Sequence, residues 1–309
     1  MPRPTFSARI AAATALALSV SPLAAQPPPL APPEGEESIL DVGLDRSDRM
    51  TVPVSIEGQG PFQFVIDTGA ERTVIARELA TSLNLESAGS ARVHSMSEVS
   101  DLPTVLIPGL EVGGKQVGRI RAPALRQRNM GAQGMLGVDS LKSQRVSFDF
   151  GRREMTVVPS RRPEERWDDD TIVIVGRSRF GRLVLVDASL DGEKVWVIID
   201  TGSEVTIANS ALRRKLERGG RLGPVHPVEL ISVTGGRVIA DQTTTKTMRL
   251  GGVNINNMPL AFADVHPFKS LDLMDRPAIL LGMDALRAFD KVSVDFANRK
   301  VRMLAREPV

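Results

Sequence analysis

Phe64-Val65-Ile66-Asp67-Thr68-Gly69-Ala70-Glu71-Arg72-Thr73-Val74-Ile75 recurs, on the same plan, as Val197-Ile198-Ile199-Asp200-Thr201-Gly202-Ser203-Glu204-Val205-Thr206-Ile207-Ala208. In both copies an apolar run ends in Asp-Thr-Gly, a glutamate and a threonine come after it at matched places, and the chain leaves on apolar residues. A single Asp-Thr-Gly suits an ordinary Asx-turn after a strand. Two in register, with flanking features in the same order, mark a duplication that delivers two carboxylates by one structural device.

The repeat extends outward from the tripeptides. A hairpin pattern precedes each: Thr51 to Glu57, a turn at Gly58-Gln59-Gly60, and Phe62 to Ile66; then Leu183 to Leu190, a turn at Asp191-Gly192, and Val195 to Ile199. A short helical pattern comes after each, Arg77 to Leu85 and Asn209 to Glu217. Further β-type segments lead to a second apolar run ending in glycine, Met135-Leu136-Gly137-Val138-Asp139 and Leu280-Leu281-Gly282-Met283-Asp284. Short helices are expected next, Ser140 to Gln144 and Ala285 to Phe289. A closing strand pair is expected in each half, residues 146–150 with 155–158 and 292–296 with 300–304. The stretch 159–170 has prolines, mixed charge and no periodicity, and reads as a linker between an N-terminal lobe over 37–158 and a C-terminal lobe over 171–307. Strands dominate and helices are short, so the class is mainly β.

Composition narrows the function. A chain of 309 residues that is 42% hydrophobic can build two cores. Arg3 and Arg9, the apolar stretch from Ile10 to Val20 and Ser21-Pro22-Leu23-Ala24-Ala25 read as a signal peptide over 1–25, with a Pro-rich leader over 26–36. The expected location is therefore exported, periplasmic or secreted, with no integral membrane span once the signal is removed. The apolar core is short for a span, though an uncleaved anchor is the competing reading. The chain has no cysteine, which excludes disulfides and thiol chemistry. Net charge is +2 with basic and acidic residues interleaved, so nucleic acid is not an expected partner. His94, His226 and His266 lie in unrelated segments without ligand spacing, and no metal is expected.

Hydrolysing a peptide bond without metal, cysteine or an activated serine requires one group to take a proton from water while another gives one to the carbonyl oxygen. Two carboxyls sharing a proton do both. Each acid must sit rigidly at a strand end with nothing bulky between them; glycine gives the sharp turn, and the threonine hydroxyl can lock the two loops together.

On these motifs the chain resembles the retropepsin-like aspartic protease family, in a bacterial, secreted, single-chain form with two lobes, over nearly all of residues 40–305. The resemblance implies an acid-protease, double-ψ β-barrel-like fold in two homologous lobes with the active site between them. It implies an aspartic endopeptidase without a cofactor, with Asp67 and Asp200 as catalytic dyad. Thr68 and Thr201 would form an interlocking grip, Gly69 and Gly202 hold the loops, and Ala70 and Ser203 flank the acids. Gly137 and Gly282 would be the ψ-loop glycines that cross beneath the acids. The partner is a peptide or protein substrate, and one chain suffices as a monomer.

Several residues outside the two loops stand out beside these. Asp139 and Asp284 directly precede the expected short helices and read as N-caps. Asp149 and Asp295, alternating with apolar strand residues, read as solvent-facing or hairpin residues. Glu71 and Glu204 stabilise the loop or are merely exposed. Gly235 and Gly236, in Ile231-Ser232-Val233-Thr234-Gly235-Gly236-Arg237-Val238, fit the tip of a mobile flap. The lobe-one counterpart, residues 93–101, has no glycine, which leaves a stiffer flap, a shortened one or none. The absence of tyrosine sets the pepsin branch apart. Two alternatives to a protease stay open: a catalytically weak or silent periplasmic peptide-binding protein, and a glycan hydrolase, which needs its carboxylates further apart than paired loops allow.

Overall fold

Residues 64–66 and 197–199 are apolar on consecutive positions because these strands are covered on both faces. In the computed structural model, which describes residues 38–41, 43–44, 50–112, 115–167, 171–179, 182–185 and 188–306, each lies in the interior of its lobe's sheet, with a strand on either side. The predicted signal peptide and leader, and residues 168–170 of the predicted linker, lie outside the described residues.

The two halves share one wiring. In the first, strand Gly134–Leu136 inserts between Gln59–Ile66, to which it runs parallel, and Val74–Ala76, to which it runs antiparallel. In the second, Ala278–Leu281 inserts in the same way between Trp196–Ile199 and Ile207–Ala208. The chain thus leaves a strand at the aspartate, turns, and re-enters the sheet one place away, with the later strand in the gap. This is the ψ crossing of a mainly β aspartic protease fold. It fixes each acid from below: the Asp67 N–H donates to the Leu136 carbonyl and the Asp200 N–H to the Leu281 carbonyl, both at 3.0 Å.

The glycines after the inserted strands are required by space. A Cβ on Gly137 would come 2.5 Å from the Arg72 carbonyl carbon, and one on Gly282 would come 2.7 Å from that of Val205. Real side chains do not tolerate such approaches, so the backbones pass only where neither carries a Cβ.

The short helices, the second hairpin and the closing strand pairs differ from the sequence-based expectation. The short helices start earlier, at Val138–Leu141 and Met283–Leu286, and Gln144 and Phe289 already begin strands. Their N-caps are Gly137 and Gly282, so Asp139 and Asp284 stand inside the first turn and do not cap from outside it. The second hairpin is split: Arg182–Leu185 pairs with Trp196–Ile199, while Ala188–Leu190 pairs with Glu193–Lys194 and Thr247–Leu250 in a separate four-stranded sheet. The closing pairs do not belong one to each lobe. Gln144–Asp149 pairs with Phe289–Asp295, joining both pairs in one six-stranded sheet that Ser38–Asp41 and Thr171–Val175 flank. At its centre the Ser147 hydroxyl donates to the Ser293 hydroxyl at 2.9 Å.

Asp149 and Asp295 fill their hairpin role at the ends of that sheet. Asp149 accepts from the Arg152 N–H at 2.8 Å and Asp295 from the Asn298 N–H at 2.9 Å. Asp295 is not solvent-facing, being only 2% exposed, because Asn298 Nδ2 also covers its second oxygen. The segment 161–167 is irregular but anchored. Arg145 donates to the carbonyls of Arg162 and Pro163, and the Arg302 guanidinium lies 4.2 Å from the centre of the Trp167 ring.

Helix Ser210–Arg218 shows how local sequence sets an element. Asn209 caps it by accepting from the Leu212 N–H at 3.0 Å, and Ala211, Leu212 and Leu216 bury one face. Each buried leucine contributes on the order of 2 kcal/mol. Among the described residues no helix is long and apolar enough to cross a membrane.

Candidate active site

The two Asp-Thr-Gly loops meet face to face. Thr68 and Thr201, 133 residues apart, each donate a backbone N–H to the other's hydroxyl oxygen at 3.1 Å. The Thr68 hydroxyl donates to the Ile199 carbonyl at 2.8 Å, and the Thr201 hydroxyl to the Ile66 carbonyl at 2.7 Å. All four bonds are buried, so breaking one leaves an unpaired polar group away from water.

This grip presses each glycine against the opposite acid. A Cβ on Gly69 would come within 2.6 Å of Asp200 Cγ, and one on Gly202 would overlap the Asp67 carboxyl. Only hydrogen at these positions lets the carboxyls approach. Asp67 Oδ1 accepts from the N–H groups of Gly69 at 2.9 Å and Ala70 at 2.8 Å, while Asp200 Oδ1 accepts from Gly202 at 3.0 Å. Asp67 is buried and Asp200 partly buried. Ser203 uses its hydroxyl on the Val205 carbonyl at 2.8 Å, within its own loop.

Behind each loop lies a second tie that reading the aspartates as caps missed. The Thr73 N–H and hydroxyl donate to Asp139 Oδ1 at 2.9 and 2.8 Å, and the same hydroxyl oxygen accepts from the Gly137 N–H at 3.2 Å. In the second lobe Thr206 donates to Asp284 from its N–H at 3.0 Å and its hydroxyl at 2.5 Å, and accepts from Gly282. Burial pushes the Asp284 carboxyl above the ordinary aspartate range, against the lowering effect of the Thr206 bonds. The signal for this tie was in the repeat: both threonines and both aspartates occur at matched places.

Both lobes carry a hairpin over the acids. In lobe one Ser87–His94 pairs with Val99–Ile107, so the glycine-free segment forms a flap, closed by the Ser95 hydroxyl bonding the Glu98 carbonyl. In lobe two His226–Ile231 pairs with Arg237–Thr244, with Gly235 at a left-handed φ of 92° in the turn. The tips touch: the Thr234 hydroxyl donates to the Ser95 hydroxyl at 3.1 Å, and Asn129 Nδ2 donates to the Thr234 carbonyl at 2.9 Å. Gly236 lies directly against Ser97. Met96 reaches from the first flap to pack on the second lobe's core. Below the tips the His94 and His266 rings stack, with centroids 4.1 Å apart and planes 20° from parallel. Sequence spacing gave no hint that these two histidines meet.

Between acids and flaps lies a cleft of about 1090 Å³, lined by residues of both lobes. Glu71 and Glu204, whose role the sequence left open, are both exposed and line this cleft. Two carboxyls at its floor, held by backbone donors and roofed by two hairpins, form a site suited to acid/base chemistry.

A family model described as aspartyl protease matches the chain over residues 52–140 and 186–285, one segment for each lobe and each with its own Asp-Thr-Gly loop and glycine run. No curated protein matches the chain.

Proposed function

The chain belongs to the aspartyl protease family, and from that premise we propose that it is an exported endopeptidase in which Asp67 and Asp200 form a shared dyad. The observation that carries this reading is the reciprocal grip of Thr68 and Thr201, which sets two carboxyls against each other with only glycine between. Like charges at such close quarters do not both ionise, so one proton is shared and the pair titrates as a unit. The ionised member takes a proton from a water molecule held between them, while the protonated member gives one to the scissile carbonyl oxygen. Water attacks the carbonyl carbon, a tetrahedral diol forms, and its collapse with proton transfer to the amine breaks the C–N bond. No acyl-enzyme and no cofactor enter this scheme. Both acids come from one chain, so a monomer completes the site.

The test is hydrolysis of a peptide library by the mature protein from acidic to neutral pH, beside Asp67→Asn and Asp200→Asn. Each variant is expected to fold and to lose cleavage. Full activity in Asp67→Asn would refute the shared dyad, and peptide binding without cleavage by the wild type would favour the silent binder instead.

A further inference from the structure

The duplication supplies an internal control, because hydrogen-bond register equates positions in the two lobes. Ala124 pairs with Ile75 in the first lobe and Phe262 with Ala208 in the second, and Ile75 and Ala208 stand at the same distance after their aspartates. Counting back along the paired strands equates Arg121 with Pro259 and Arg119 with Asn257; counting forward from the aspartates equates Arg72 with Val205. Burial agrees with the alignment, since Ile120 and its counterpart Met258 are both buried while Arg121 and Pro259 are both exposed. Lobe one therefore carries three arginines where the same framework in lobe two carries no charge.

These arginines are gathered, not scattered. With Lys142 they line a groove of about 600 Å³ on lobe one, whose acids are Glu71 and Asp139. Asp139 Oδ1 is already occupied by donors from Thr73 and Ser140. Among the described residues no ion pair engages Arg72, Arg119 or Lys142. Arg121 is held by neutral acceptors, the Thr104 hydroxyl at 3.1 Å and the Ser90 carbonyl at 2.9 Å, which fix its position without cancelling its charge. The groove is continuous with the cleft, sharing Glu71, Arg72 and Arg121 with it. Several cations on one concave wall focus a positive potential that a lone surface arginine does not, and the guanidinium fork matches a carboxylate in two bonds.

We propose that this groove is a specificity subsite that takes a carboxylate of the substrate, flanking the scissile bond on the lobe-one side. The inference rests on the peptidase reading for its geometry but is tested by binding. The carboxylate has two sources in a peptide, a Glu or Asp side chain and the chain terminus. Asp67→Asn protein is titrated with labelled decapeptides in which each position in turn is Glu or Gln, and with the same peptides ending in free acid or amide.

At low salt the expected result is a preference of about 10-fold for the carboxylate at one or two positions, or at the terminus, fading as salt is raised. The preference is expected to vanish in an added Arg72→Gln/Arg119→Gln pair and to reverse with Arg119→Glu. Equal affinity for Glu and Gln and for acid and amide, a preference that survives the double substitution, or no binding of either peptide overturns the subsite. Cleavage by the wild-type chain is scored separately. Absence of cleavage with the acid preference intact removes the peptidase reading and leaves the subsite standing; cleavage without any acid preference does the reverse.

Discussion

Thr68 and Thr201 hold each other: each offers its N–H to the other's hydroxyl oxygen at 3.1 Å and sends its own hydroxyl to a carbonyl of the opposite strand. The bond that joins the lobes is therefore the bond that positions the acids. Thr68→Ala and Thr201→Ala each leave a buried N–H and a buried carbonyl unpaired, and each is expected to cost about 2–4 kcal/mol. Thr→Ser at either position keeps the hydroxyl and is expected to recover most of that loss. Denaturant unfolding of the four variants checks the stability order, and peptide hydrolysis checks that activity tracks it.

Gly69→Ala and Gly202→Ala test the space between the acids. The added methyl would sit 2.6 Å from Asp200 Cγ in the first case and overlap the Asp67 carboxyl in the second. The loops must separate to admit it, and a displacement near 1 Å at reacting groups costs about 100-fold in rate. Both variants are expected to lose at least that much in kcat. Near-normal kcat in either would mean that the carboxyls have room to spare.

Asp284 gives a pH prediction whose sign comes from its burial. Its folded pKa lies above the ordinary aspartate value, so over the interval between the two the native state holds a proton that the unfolded chain has released. Its contribution to stability therefore falls as pH rises from about 4 towards the folded pKa, and levels off above it. Asp284→Asn removes this downward slope, though it also weakens the tie to Thr206. Unfolding free energies of both proteins across the acidic range are compared. Identical slopes would count against a raised carboxyl.

The flap contact predicts a change in opening. Thr234→Val keeps the volume but removes the hydroxyl that reaches Ser95 at 3.1 Å. A partly exposed hydrogen bond is worth about 1 kcal/mol, so amide exchange across residues 93–98 and 231–236 is expected to rise about 5-fold. Exchange elsewhere in the sheets should be unchanged. Unaltered protection at both tips would show that the remaining contacts, the Asn129 bond to the Thr234 carbonyl and the packing of Met96, hold them without the hydroxyl.

Much of the site was legible because a duplication writes every requirement twice. Asp-Thr-Gly, the later glycine and the threonine and aspartate behind it recur at matched places, since one crossing geometry imposes one set of small and hydrogen-bonding residues on each lobe. The lobe-one flap was not legible. Ser95 and Glu98 close its turn through side-chain and backbone bonds that need no glycine, so the usual marker is missing. The short helices were misplaced by two residues because Gly137 and Gly282, read as run-ending ψ-loop glycines, are also the N-cap positions of the helices that begin at Val138 and Met283.

The sequence alone determined the repeat, the mainly β class and the two residues that deliver the carboxyls, because strand periodicity and turn chemistry are local and act over a few residues. The tertiary structure decided what depends on contacts between distant segments: the closing strands merged into one six-stranded sheet, His94 stacked on His266, the flap tips joined, and the arginines of lobe one gathered beside the cleft. No local pattern encodes these pairings. They arise where two copies of one framework, bound through Thr68 and Thr201, bring unmatched residues of each against the other or against the cleft between them.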